Sequence, residues 1–111
     1  MNGVILLPDD WNASYYSFSS TNSEGASFTS NTISASQWVA LEQHGAVFLP
    51  AAGYRRGASV NNVGSGGYYW SASYNNENSA YYVWFNWSNL DPQDYGSRYY
   101  GQSVRLVRSA Q

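Results

Sequence analysis

Cysteine is absent from this chain. That removes disulfides, thiolate metal sites and any cysteine nucleophile, and it leaves the compartment open. Lysine is absent too, so all five positive charges are arginines. Charged residues make up 11% of the chain, well below the usual quarter. A formal net charge of -2 without a basic run gives no electrostatic footprint for nucleic acid. No apolar run approaches the ~20 residues that span a bilayer, so no membrane insertion by this segment is expected. Val4–Leu7 is too short for a signal-peptide core, and no basic residue stands between Met1 and Val4. An export signal, if there is one, is expected upstream. The abrupt opening on strand-like sequence suits a C-terminal fragment of a longer protein. Gly64-Ser65-Gly66-Gly67 lacks the Lys and the following helix of a phosphate-binding loop.

Aromatics are plentiful instead, at 18%, with 11 Tyr and 5 Trp. Disordered chains are poor in such residues, so this one folds. A length of 111 residues suits a single domain over residues 1–111.

In order, Val4–Leu7 reads as a buried strand stopped by Pro8-Asp9-Asp10. Trp11 is expected to fold back on it. Asn12–Asn31 is a long polar stretch whose aromatics, Tyr15, Tyr16, Phe18 and Phe28, should pin it to the body. Ser34 and Gln37 are spaced as a capping box. They start the one convincing helix, Ala35–His44, with Trp38, Leu41 and Val39 as its apolar stripe and Gly45 as its left-handed stop. Ala46–Pro50 is a second strand, and Val60–Gly67 is a turn region. Tyr68–Ser73 and Ala80–Trp87 are strands joined by the polar loop Tyr74–Ser79. Ser88–Ser97 reads as a loop around Asp91-Pro92, Arg98–Tyr100 as a short strand, and Ser103–Arg108 as the last strand. One helix with several antiparallel strands gives an α+β class.

The stretch from Gly66 to Arg108 holds eight of the 11 tyrosines and three of the tryptophans, with Asn, Asp and Ser between them. Tyr and Trp give large contact area at low entropy cost, and Ser, Gly and Asn adapt their hydrogen bonds. If Tyr81, Val83 and Phe85 face inward, Tyr82, Trp84 and Asn86 face out. The candidate ligand-binding residues are Tyr74, Asn75, Asn76, Asn78, Tyr82, Trp84, Asn86, Trp87, Asn89, Asp91, Asp94, Tyr95, Ser97, Tyr99 and Tyr100. Tyr69 belongs with them as an aromatic outside the core. An exposed strip of that size marks a contact site, or a face covered by another segment or subunit.

Catalysis has weaker support. His44 is the sole histidine and sits at a helix end, where a surface His is ordinary. Asp9 and Asp10 follow a Pro in a turn that favours Asp for local hydrogen bonds. The pair Asp91 and Asp94 leaves an acid-pair enzyme as a third class. No catalytic residue, cofactor or metal is expected. Arg105 is read as a structural partner of a carboxylate such as Asp9, Asp10 or Glu42. For Arg98, structural and anion-binding readings both stand; Arg108 is a further candidate anion binder.

Ile5–Trp11, Val47–Arg55, Gly67–Ser71 and Gly101–Arg108 together resemble the Fibrobacter succinogenes major paralogous domain of gut Bacteroidales. The resemblance implies a C-type lectin-like fold with one main helix, short antiparallel strands and long loops. Some members are similar to variable proteins of diversity-generating retroelements, in which adenine mutagenesis turns Asn codons into Tyr, Asp, Ser or Gly. Carried over, Tyr74, Asn75, Asn76, Asn78, Tyr82, Asn86, Asn89, Asp91, Asp94, Tyr95, Gly96, Ser97, Tyr99 and Tyr100 become variable contacts. Trp84 and Trp87 depart from that pattern, because a Trp codon does not arise from an Asn codon by adenine changes. The calcium-site motifs of C-type lectins and the cysteines of formylglycine-generating enzymes do not occur. The resemblance therefore implies a non-enzymatic binding module for a protein or glycan, located on a cell surface or phage particle. The alternative is a fixed-specificity carbohydrate-binding or structural module. Oligomerisation is compatible with either.

Overall fold

Ser34 starts the helix in the manner its spacing requires. Its hydroxyl accepts from the Gln37 amide at 3.2 Å, and the Gln37 side chain accepts from the Ser34 amide at 2.9 Å. Two of the helix's unpaired amides are thereby satisfied. The computed structural model describes residues 1–19, 28 and 31–107. In chain order the elements are β1 (Gly3–Leu6), α1 (Ala35–Gln43), β2 (Val47–Pro50), β3 (Tyr54–Arg56), β4 (Ser59–Asn61), β5 (Gly66–Tyr74), β6 (Ser79–Asn86) and β7 (Leu90–Ser97).

The strands form three small antiparallel sheets: β1 with β2, β3 with β4, and β5-β6-β7 in sequence order. This overturns the expected α+β, C-type lectin-like fold. The protein is mostly β. Its helix has only nine residues and one buried side chain, Leu41, and Val39 lies outside the apolar stripe, in water. A helix so short cannot carry a layer of the core.

The core sits between the β1–β2 ribbon and the three-stranded sheet. Leu49 and Ala51 meet Tyr69 and Phe85 there, with Val4, Val47, Val83 and Phe28 packed around them. On the ribbon's other side Phe48 meets Trp38 of α1, ring centroids 6.0 Å apart. Ribbon and sheet are thus the two layers of the core, and the short helix rests on the ribbon's outer side. Backbone bonds stitch them: Ala51 N donates to Asn2 O at 2.8 Å, Gly64 N to Ala51 O at 2.7 Å, and Gly53 N to Gly66 O at 2.8 Å. Trp11 packs on Tyr15 and Phe18, and Tyr15 stacks on His44 at 3.7 Å. Residues 20–27 and 29–30 of the polar stretch lie outside the described residues.

Four further expectations need correction. Residues 54–61 form the β3–β4 hairpin around Gly57, so Val60 and Asn61 are strand and not part of the expected turn region. Residues 90–97 are a strand, not a loop, because Asp91-Pro92-Gln93 fits a register irregularity between the pairs Tyr82–Asp94 and Trp84–Asp91. Pro is tolerated on an edge strand at such a bulge. Arg98–Tyr100 is a turn. Of the last strand, only Ser103 pairs, in parallel with Tyr69. Val104, Leu106 and Val107 are exposed and Arg105 lies in no strand; Arg108 is outside the described residues.

Gly67 is required by the core. A Cβ there would overlap the ring of Phe85, its cross-strand partner. Gly67→Ala should lower stability by about 1–3 kcal/mol through overpacking. Val39→Ser on the exposed helix face should change it by no more than about 0.5 kcal/mol. Urea denaturation followed by circular dichroism measures both.

Candidate binding face

Alternate residues of β5, β6 and β7 share a face. Tyr69, Val83 and Phe85 point into the core. Tyr68, Trp70, Tyr82 and Trp84 therefore stand on the opposite, outer face. The register sets Tyr68 opposite Trp84 and Trp70 opposite Tyr82. From β7, Asp94 lies opposite Tyr82 and Asp91 opposite Trp84.

Six rings touch in succession across this face. Centroid distances are 4.8 Å for Tyr99–Tyr100, 5.8 Å for Tyr100–Tyr54, 4.8 Å for Tyr54–Tyr68, 6.1 Å for Tyr68–Tyr82 and 5.7 Å for Tyr82–Trp70. Every step is tilted or edge-on, the arrangement that ring quadrupoles favour. The β3–β4 hairpin enters the row through paired backbone bonds. Arg55 N donates to Gly101 O at 2.6 Å, and Gly101 N donates back to Arg55 O at 2.7 Å. That clamp sets Tyr54 beside Tyr100 and the Arg56 guanidinium 5.7 Å from the Tyr100 ring centre. Asn62 Nδ2 donates to the Tyr68 hydroxyl at 2.9 Å.

Tyr82 lies in the middle of the row and is only 9% exposed. Its hydroxyl donates to Asp94 Oδ2 at 3.0 Å. Gly96 leaves room for its ring; a Cβ there would come within 3.2 Å of it. Burial, and then the hydrogen bond to Asp94 and the charge of that carboxylate, push the Tyr82 hydroxyl well above the usual tyrosine range. Tyr82 is thus a neutral, buried prop for its neighbours, not the wet contact its place in the strand suggests. Its partners Tyr68 and Trp70 cover it. Tyr69 is likewise corrected: it is core, and its hydroxyl donates to Pro50 O at 2.8 Å.

Two of the candidate asparagines build turns. Asn76 Oδ1 accepts from the amides of Asn78 and Ser79 at 2.9 and 2.8 Å. Asn86 Oδ1 does the same for Ser88 and Asn89 at 2.9 and 2.8 Å. These side chains mimic the backbone of the turn they close. Arg98 resolves toward structure: its Nε and Nη2 both donate to Asn76 O, at 3.0 and 2.7 Å, and it lies over the Tyr74 ring.

The structure therefore divides the expected residues. Trp84, Asp91, Asp94, Tyr99 and Tyr100 join the outer face or its ring row. Tyr74, Asn75, Asn76, Asn78 and Ser97 gather at the β5–β6 turn end. Asn86, Trp87 and Asn89 gather at the opposite, β6–β7 turn. Tyr95 stands on the inner side, edge-on to Tyr81 at 6.1 Å. Sequence reasoning missed Tyr54, Arg56, Tyr68 and Trp70 as site residues. Tyr68 and Trp70 were legible from strand alternation; nothing local marks Tyr54 or Arg56. Among the described residues no three His, Asp or Glu side chains converge as a metal site. No described helix is long and apolar enough to cross a membrane.

A domain family of unknown function, DUF8237, matches residues 9–107. The chain belongs to the DUF8237 family. No curated protein and no solved structure matches it. The DUF8237 match takes in the helix and β2 to β7, while β1 precedes it and pairs with β2 inside it.

Because the folded-state value of Tyr82 lies above its unfolded value of 10.0, the unfolded chain loses that proton first as pH rises. The stability this hydroxyl contributes is complete below about pH 10 and is lost progressively above it. Urea midpoints between pH 8 and 11 should fall at the alkaline end. The fall should be shallower in Tyr82→Phe, which has no proton to lose.

Proposed function

We propose that this chain is a non-catalytic recognition module that holds a glycan or protein with the outer face of its three-stranded sheet. The observation that carries this reading is the row of six touching rings, bordered by Trp84, Asp91 and Asp94. Half-exposed aromatic surface of that extent is costly unless it meets a partner. Tyr and Trp offer apolar faces and polar rims together, which suits sugar rings and protein surfaces alike.

An enzyme built on the acid pair has less behind it. Asp91 Oδ1 accepts from the Gln93 amide at 2.9 Å. Asp94 accepts from the Tyr95 amide at 2.8 Å and from Tyr82 at 3.0 Å. Both carboxylates are already engaged as hydrogen-bond acceptors by neighbouring groups of the chain, which leaves neither aimed at a substrate proton. His44 is stacked on Tyr15. A location on a cell surface or phage particle belongs to this reading. If retroelement diversification operates, the positions free to vary are the exposed Tyr74, Tyr95 and Tyr99, since Asn76, Asn86, Tyr82 and Gly96 hold turns and packing.

The labelled protein should bind selected spots on arrays of glycans and surface proteins. Trp84→Ala and Trp70→Ala should each weaken those hits about tenfold or more, as removal of an aromatic hot spot of roughly 2 kcal/mol does. Trp87→Ala, at the far turn, should leave them unchanged. Loss on Trp87→Ala with retention on Trp84→Ala and Trp70→Ala contradicts the assignment of the face.

A further inference from the structure

Arg56 stands at the end of the ring row in a setting unlike that of its neighbours. The Arg55 side chain is occupied by its own hairpin, with Nε donating to Gly57 O at 2.9 Å. Arg98 is occupied by Asn76 O. The Arg56 guanidinium lies over Tyr100, and its charge and hydrogen bonding lower the neighbouring Tyr99 hydroxyl below the usual tyrosine range, after the larger effects of hydrogen bonds to Ser97 and Tyr100. The groups acting on the Tyr99–Tyr100 pair are thus Ser97, Tyr54, Arg56 and each other. Arg56 is exposed, Tyr100 half-buried and Tyr99 69% exposed. A cation held over one ring beside two tyrosine hydroxyls presents a fixed fork of donors to an anion.

We infer that Arg56, Tyr99 and Tyr100 form a subsite for the carboxylate of an acidic sugar, such as a uronic acid unit. This rests on the binding face proposed above and names its ligand class. The carboxylate takes the guanidinium of Arg56 in two parallel hydrogen bonds. The tyrosine hydroxyls bond the adjoining ring oxygens, and the sugar chain continues along Tyr54 and Tyr68 toward Trp70. A sugar fits better than an acidic peptide, because the row beside the arginine is made of ring edges and hydroxyls. Gly101 and Arg55 already use the backbone groups at that point.

The test is calorimetric titration with oligogalacturonate and with its methyl ester, which keeps the sugar chain but replaces each carboxylate with an uncharged ester. The acid should bind at least about tenfold tighter than the ester, the scale of a charge-assisted pair, and more weakly at high salt. Arg56→Ala should abolish that preference, Arg56→Lys should restore part of it, and Tyr99→Phe should reduce it. Thermal melts check that each exposed substitution leaves the fold intact. Equal binding of acid and ester, no binding of either, a preference that survives Arg56→Ala, or equally tight binding of oligoglutamate overturns the acidic-sugar subsite. Those results leave the binding face standing so long as Trp84→Ala still removes the array hits; if it does not, the face itself fails.

Discussion

The outer rings depend on two rings beneath them. Tyr69 of β5 and Phe85 of β6 lie nearly parallel, centroids 6.4 Å apart, against Leu49 and Ala51. The Tyr69 hydroxyl ties β5 to the end of β2 through Pro50 O. Side chains alternate strictly along a strand, so a slip of one residue would turn the whole sheet inside out. Fixing Tyr69 and Phe85 inward is therefore what forces Tyr68, Trp70, Tyr82 and Trp84 outward. Gly67 makes the fixing possible, because only a residue without Cβ lets the Phe85 ring lie over the strand.

The polar residues follow a different logic from the one their composition suggests. A run of Asn, Ser and Asp between aromatics resembles a surface made for change. Asn76 and Asn86 instead repeat one device at the two ends of β6, each receiving the amides two and three residues ahead. Asp91 receives the amide two ahead in the bulge of β7. Short side chains with an acceptor oxygen are chosen there because they close a reversal without a longer loop. The exposed surface between these turns is left mainly to the rings.

Much of the frame was legible in the sequence. The Ser34–Gln37 capping box, the Gly45 stop, the ribbon from Val4–Leu7 and Ala46–Pro50, and strands β5 and β6 all announce themselves locally. The helix misled about class: the one helix signal was real but only nine residues long, and the fold resemblance gave it more weight than its single buried leucine supports. β7 was hidden by Asp91-Pro92, a turn signal that the structure spends on a bulge. Strand-like Val104–Val107 carries the right residues but stays unpaired and exposed, because apolar alternation does not itself supply a neighbouring edge. Tyr82 shows the limit of alternation as a guide to exposure. It does face away from the core, yet its own flanking rings bury it.

The charges on this face are not spread evenly. Asp91 and Asp94 lie on the β7 side, opposite Trp84 and Tyr82, and Arg56 lies beside Tyr100, toward the Tyr99 end of the row. The rings between them meet tilted or edge-on, so they offer few flat platforms and many rims with hydroxyls. Apolar contact alone would let an extended ligand lie on such a row in either direction. If the face binds as proposed, opposite charges on its two sides would favour one direction for a ligand charged along its length, since reversal would set like charges together. In a chain with only 11% charged residues, one cation beside Tyr100 and two carboxylates on the β7 side make this face electrostatically asymmetric.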